Sequence, residues 1–158
     1  MRKIQTKYLI QAAVIAAVYA ILTVVLSPIS YGPIQFRLSE ALTILPAFTP
    51  AAVPGLFIGC LIANLMSPVG LVDIICGSAA TLIAAFISYK LRKRPLLVPL
   101  PPIIVNGVIV GLELKLLYTP QMPLLACMGW VALGELGACY AVGYPLMKIL
   151  GRYNGIFR

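Results

Sequence analysis

Four acidic residues, Glu40, Asp73, Glu113 and Glu135, lie in or against long apolar stretches of this chain. They are its only acidic side chains, whereas ten of the twelve lysines and arginines sit at the two termini and in one loop. Burying a carboxylate in hydrocarbon costs free energy, and residues of this kind usually have a function. The pattern therefore indicates a membrane protein and marks these four side chains as candidates for binding a polar molecule.

The chemistry of these side chains favours a ligand rich in hydrogen-bond donors. Ionised carboxylates only accept hydrogen bonds, and a buried one needs a cation or several N–H donors. Asn106 and Glu113 are seven residues apart, close to two helical turns, so both point the same way. Lys115 lies about 160° from that face, which predicts that it reaches the outer surface rather than Glu113. We therefore expect a neutral or positive ligand, such as a guanine edge with its N1–H and 2-amino groups.

Each acid could instead join helices through an ion pair or hydrogen bond without binding any ligand. This alternative is strongest for Arg37 and Glu40, which stand at positions i and i+3. It is weaker for Glu113 and Glu135, because the chain has no cation left to match both of them.

Composition predicts that the elements holding these residues are membrane-spanning helices. The 158 residues are 61% hydrophobic and 10% charged, with a mean hydropathy of +1.02. Since one span needs roughly 20 apolar residues, the chain has room for about six. We predict an all-α integral membrane protein, a single membrane domain over residues 1–158, with short second and third helices. The expected spans are about 8–26, 38–48, 53–66, 70–89, 101–118 and 124–150.

The basic residues predict the topology of those spans. They cluster at the N-terminus, in the 90–94 loop and at the C-terminus, and the positive-inside rule places all three in the cytoplasm. Four crossings before the loop and two after it satisfy this arrangement. If the two short segments formed a re-entrant hairpin instead, the number of crossings before the loop would still be even, so four spans is the alternative. The first apolar run is too long for an ordinary cleaved signal, and we expect it to be retained.

Several functional classes are disfavoured by what the sequence lacks. It has no histidine, its four cysteines form no C-x-x-C pair, and it carries no G-x-x-x-x-G-K-[ST] motif. We therefore expect no metal, no cofactor and no ATP hydrolysis by this chain. The net charge of +8 lies at helix ends rather than on one face, so we expect no nucleic-acid binding. Without a nucleophile–base pair, an intramembrane enzyme is a weak hypothesis.

A stripe of small residues on the first helix is a candidate docking surface. Ala12, Ala16 and Ala20 stand four residues apart, which makes a flat face that lets another helix approach closely. Packing within this chain is the alternative interpretation of the same pattern.

Four blocks of sequence resemble the QueT family. The run Ile34-Gln-Phe-Arg-Leu-Ser-Glu-Ala-Leu-Thr-Ile-Leu-Pro46 is the most specific. The other blocks are 48–59, 99–106 and 134–140 with Gly143-Tyr-Pro145. That family comprises the substrate-binding S components of energy-coupling factor (ECF) transporters assigned to queuosine precursors. The resemblance implies a multi-pass protein of the bacterial plasma membrane that binds a 7-deazaguanine. It also implies a transmembrane coupling subunit and two ATPase subunits as partners.

The resemblance implies which residues bind substrate and which dock to the coupling subunit. S components generally bind substrate near the outer face, with the first external loop and helices four to six. The residues that this places in range are Tyr31, Gln35, Arg37, Glu40, Asp73, Asn106, Glu113 and Glu135. The alanine stripe, Ala12, Ala16 and Ala20, matches the family's docking stripe on helix one. An alternative function is a stand-alone proton-coupled secondary carrier, with Glu113 or Glu135 as the titrating group.

Overall fold

The computed structural model describes residues 2–30, 36–67 and 70–153, and these ranges contain helices and turns but no strand. The α-helices are α1 (Arg2–Val25), α2 (Ser27–Ser30), α3 (Ala52–Asn64), α4 (Ser78–Lys90), α5 (Leu100–Glu113), α6 (Leu124–Leu136) and α7 (Tyr144–Arg152). Two segments are 3₁₀-helical, Leu38–Ala47 and Pro95–Leu97. Three are π-helical, Asp73–Gly77, Leu114–Tyr118 and Gly137–Gly143.

Four helical stretches of the described chain are long and apolar enough to cross a membrane. They are Gln5–Val25, Asp73–Lys90, Pro95–Tyr118 and Leu124–Arg152. Leu38–Ala47 and Ala52–Asn64 are apolar but shorter, as predicted. The all-α membrane fold is therefore confirmed, with element positions within a few residues of the expected spans. The count of six crossings and the cytoplasmic location of both termini stay predictions.

The 3₁₀ helix Leu38–Ala47 lies in the centre of the bundle. It contacts α1, α3, α4, α7 and the π segment Gly137–Gly143, and seven of its ten residues are buried. A 3₁₀ helix rises about 2.0 Å per residue, so ten residues reach about as far as 13 in an α-helix. This element carries Glu40 to a position with no solvent exposure.

The alanine stripe, which we expected to dock to a coupling subunit, packs within this chain, in agreement with the alternative interpretation of the pattern. Ala12, Ala16 and Ala20 are all buried. The stripe faces α3, where a Cβ added to Gly55 would lie 2.8 Å from the carbonyl oxygen of Ala12. A Cβ on Gly59 would lie equally close to that of Ala16. Small residues on both helices let the two backbones meet, which is the alternative use of the pattern.

The polarity of the molecule is that of a membrane protein. Large apolar side chains such as Leu9, Ile21, Leu71 and Leu125 are more than half exposed on the outer faces of the helices. The interior, by contrast, holds all four acids. A surface of this kind is stable against lipid tails, which solvate leucine and isoleucine without cost.

The close packing of α1 on α3 gives a direct test. Replacing Ala16 with Leu forces a branched side chain against the backbone of Gly59, and overpacking of this kind costs about 1–3 kcal/mol. Ala17 is exposed on the next position of the same helix, so Ala17→Leu is the matched control. We expect thermal unfolding in detergent to show a lower midpoint for Ala16→Leu only. Equal midpoints for the two variants would contradict this packing.

Candidate functional site

Three helices change their winding where they carry an acid. The π segment Asp73–Gly77 begins at Asp73, and Leu114–Tyr118 begins directly after Glu113. The segment Gly137–Gly143 begins two residues after Glu135. Since π segments inside helices frequently occur at functional sites, the three π segments mark one region of the bundle as the candidate site.

An ion pair between Arg37 and Asp73 holds one side of this region. The Nη2 atom of Arg37 lies 3.1 Å from Oδ2 of Asp73, and both side chains are at least 95% buried. Arg37 Nη1 donates to Oδ1 of Asn64 at 3.3 Å. The amide of Asn64 in turn donates to the backbone oxygen of Asp73 at 2.9 Å. Asn64 therefore fixes both partners of the pair.

The backbone before the 3₁₀ helix explains why Arg37 reaches Asp73. Arg37 is extended, with φ −90° and ψ 101°, rather than helical. Its carbonyl oxygen still accepts the first hydrogen bond of the 3₁₀ helix, from the N–H of Glu40 at 3.0 Å, but Arg37 itself lies outside the helix. The ion pair of Arg37 runs to Asp73 instead, although its charge still interacts with that of Glu40.

Glu40 is held by groups from two other parts of the chain. The hydroxyl of Tyr19 in α1 donates to Glu40 Oε1. The Cys139 thiol contacts the backbone oxygen of Glu40 at 3.5 Å, and Thr43 donates to the same oxygen at 2.6 Å. The second carboxylate oxygen, Oε2, is buried and has no hydrogen-bond partner in the described ranges.

Glu135 and Asn106 form a second buried pair beside Glu40. Nδ2 of Asn106 donates to Oε1 of Glu135 at 2.9 Å. The Cys139 thiol lies 3.6 Å from Oε2 of Glu135, which links this pair to Glu40. Because the amide nitrogen of Asn106 faces Glu135, its oxygen is left to accept from another group. That Oδ1 atom is buried and has no partner within the described chain.

Glu113 is the most exposed of the four acids. Its side chain is 7% exposed, and Oε1 has no hydrogen-bond partner among the residues that the structure describes. Lys115 does not neutralise it, because Lys115 Nζ donates to the carbonyl oxygens of Pro120 and Met122. The prediction that Lys115 turns away from Glu113 agrees with this geometry.

We term these buried residues the acid cluster, which Glu113 joins through its charge interaction with Asp73 and Arg37. Six of the predicted site residues belong to it: Arg37, Glu40, Asp73, Asn106, Glu113 and Glu135. The remaining two, Tyr31 and Gln35, lie outside the described residues.

The acid cluster accepts more hydrogen bonds than it donates. Among the described residues its four carboxylates face one buried cation, Arg37. Three acceptor atoms are buried and open: Glu40 Oε2, Asn106 Oδ1 and Glu113 Oε1. Leaving a buried acceptor unsatisfied costs about 1–3 kcal/mol. A molecule that supplies donors or a positive charge would remove that cost, so the cluster is suited to bind one.

Sequence reasoning missed three residues that support the acid cluster, Tyr19, Asn64 and Cys139. Asn64 carries a signal that could have revealed it, because it is the one strongly polar side chain in the apolar helix α3. Tyr19 is less distinct, because α1 also carries Gln11 and Thr23. Cys139 carries none, because a buried cysteine usually acts as a small hydrophobic residue.

An all-helical membrane bundle with a buried polar cluster has the architecture of a small-molecule transport protein. Comparison with known proteins gives the family: the QueT transporter family model matches residues 9–152, and the chain belongs to that family. It is 33% identical to a protein of Lactococcus lactis subsp. cremoris (strain MG1363), the queuosine precursor transporter QueT, over 96% of each chain. No solved structure is significantly similar to it. The chain is thus a multi-pass protein of the cell membrane.

The Arg37–Asp73 pair can be tested by a double-mutant cycle. Removing one partner of a buried pair typically costs 3–5 kcal/mol, because the other charge is left uncompensated. We expect Arg37→Gln and Asp73→Asn each to lower the unfolding midpoint strongly, and the double variant to lose clearly less than the sum. Lys93→Gln, which removes an exposed charge, is the control. Additive losses would mean that the two side chains are not coupled.

Proposed function

We propose that this chain is the substrate-binding membrane subunit, or S component, of an ECF-type ABC importer that takes up a queuosine precursor. The family, and the similarity to the queuosine precursor transporter QueT of Lactococcus lactis, support the transport of such a precursor. The sequence has no nucleotide-binding motif, so energy from ATP has to come from other subunits. The partners in this proposal are a transmembrane coupling subunit and two ATPase subunits, with both termini of this chain in the cytoplasm.

The single observation that carries the ligand assignment is the set of three open acceptors. A 7-deazaguanine offers an N1–H and a 2-amino group along one edge. Glu40 Oε2 and Asn106 Oδ1 need donors of this kind, since both are buried without a partner in the described ranges. A site built to hydrogen-bond such donors discriminates strongly against a molecule that lacks them, because its own polar groups would then stay unpaired.

Glu113 adds a preference for positive charge. Asp73 already has Arg37 as its ion-pair partner, and Lys115 is engaged with backbone carbonyls. Glu113 is thus the acid that remains for a cation on the ligand. A queuosine precursor with an aminomethyl group at position 7 carries one. We place that ammonium group at Glu113 and the pyrimidine edge at Glu40 and Asn106.

Calorimetry on the detergent-solubilised protein tests this arrangement. A hydrogen bond to a charged group contributes roughly 1.5–3 kcal/mol, which corresponds to about 10- to 150-fold in affinity. We expect Glu113→Gln to weaken binding of 7-aminomethyl-7-deazaguanine by that factor and to affect the neutral 7-cyano analogue less. Glu135→Gln should weaken both ligands, because it releases the amide of Asn106.

Ala17→Leu serves as the control for these titrations, because it alters only the exposed face of α1. Parent-like affinity in both Glu113→Gln and Glu135→Gln, with folding intact, would mean that these acids only join helices. Equal losses for the two ligands in Glu113→Gln would leave the site in place but refute the ammonium contact.

Reconstitution into vesicles tests the S-component role. With this chain alone we expect ligand binding but no accumulation. Uptake should require the coupling subunit, both ATPase subunits and internal ATP. Accumulation by the chain alone that collapses when a protonophore is added would support the proton-coupled carrier and contradict the proposal.

A further inference from the structure

Away from the acid cluster, a cavity lies where the end of the 3₁₀ helix Leu38–Ala47, the segment after α4 and helix α7 meet. It has a volume of about 250 Å³ and is separate in its lining residues from the acid cluster. Phe48, Tyr144 and Met147 contribute apolar surface, and Gly151 lines it without a side chain. The transport function assigns no role to this cavity.

Two basic side chains, Arg92 and Lys148, line the same cavity. The Arg92 guanidinium lies 4.3 Å from the centre of the Tyr89 ring, and its Nη1 donates to the Tyr89 carbonyl at 3.1 Å. Lys148 Nζ lies 4.8 Å from the centre of the Tyr144 ring. These contacts hold both cations at the cavity while leaving most of their donors available.

None of the four acidic side chains, all of which lie in the described ranges, neutralises these two cations. All four acidic residues belong to the acid cluster and are at most 7% exposed. In the described part of the chain the one ion pair is that of Arg37 with Asp73. The cavity therefore combines an apolar interior with an uncompensated positive edge, and its ligand has to supply a negative charge next to apolar surface.

We propose that this cavity binds an anionic phospholipid, with the phosphate between Arg92 and Lys148 and an acyl chain against Phe48 and Met147. Its position supports a lipid rather than a soluble anion. Arg92 follows the end of the Asp73–Lys90 span, and Lys148 lies in the last turns of the Leu124–Arg152 span. Both thus stand at the boundary of the apolar region, where headgroups lie. Basic pockets at helix ends commonly bind anionic headgroups.

Charge variants test the headgroup contact. Native mass spectrometry of the detergent-solubilised protein would measure binding of phosphatidylglycerol and phosphatidylcholine. We expect one phosphatidylglycerol to bind in preference, and Arg92→Gln/Lys148→Gln to weaken it by about tenfold or more, equivalent to about 1.4 kcal/mol. The control Lys93→Gln/Arg94→Gln removes one lysine and one arginine from the same basic segment, outside the cavity lining, and should bind like the parent. Equal losses in both double variants, or equal binding of the two lipids, would overturn the proposal.

A volume variant tests the apolar half without changing any charge. A Cβ on Gly151 meets no atom within 4 Å, so Gly151→Leu fits the fold and adds a bulky side chain at the lining of the cavity. We expect it to reduce phosphatidylglycerol binding to the level of the charge variant. Gly129→Leu, at a position equally open, is the control and should have no effect. Parent-like binding by Gly151→Leu would refute an acyl chain in this cavity.

A photo-crosslinking side chain at position 151 identifies the occupant in native membranes. The expected product is a phospholipid adduct. A crosslink to a polypeptide instead would assign the cavity to a protein partner and contradict the lipid proposal.

Discussion

The structure depends on the burial of four carboxylates against one arginine in a chain surrounded by lipid. A charged group in such an interior requires partners of good geometry, because desolvation outweighs attraction when the geometry is poor. The chain meets this requirement in part. Asp73 has Arg37, Glu40 has the Tyr19 hydroxyl, and Glu135 has the Asn106 amide. Three buried acceptor atoms of the cluster have no hydrogen-bond partner in the described part of the chain, which makes the cluster suited to a donor-rich ligand.

The departures from regular α-helix bring these groups together. The 3₁₀ helix carries Glu40 into the centre, and the three π segments lie at the other three acids. The alanine stripe serves the same end. Close contact of α1 with α3 places Tyr19 where it reaches Glu40, and a Cβ on Gly59 would lie 2.8 Å from Cβ of Tyr19. Packing and binding chemistry are thus connected through the α1–α3 contact.

Much of this could be predicted from the sequence, because long apolar runs and isolated polar residues are strong signals. The helix positions, the short second and third helices and the clustering of six polar residues all follow from them. The partner of Arg37 could not be predicted, since it depends on the extended backbone at that residue. Helical periodicity also shows that Ala12, Ala16 and Ala20 share a face but not which helix that face meets. The π segments add one residue to a turn, a change too small to appear in a hydropathy pattern.

If the acid cluster is a ligand site, a donor-rich 7-deazaguanine satisfies its open acceptors and should stay bound through purification. Mass spectrometry of the small molecules that copurify with the protein measures this. We expect a 7-deazaguanine in near-stoichiometric amount from the parent, and its loss from a variant that carries both Glu113→Gln and Asn106→Leu. Copurification of a molecule without N–H donors or positive charge, or retention of the deazaguanine by that variant, would contradict this expectation.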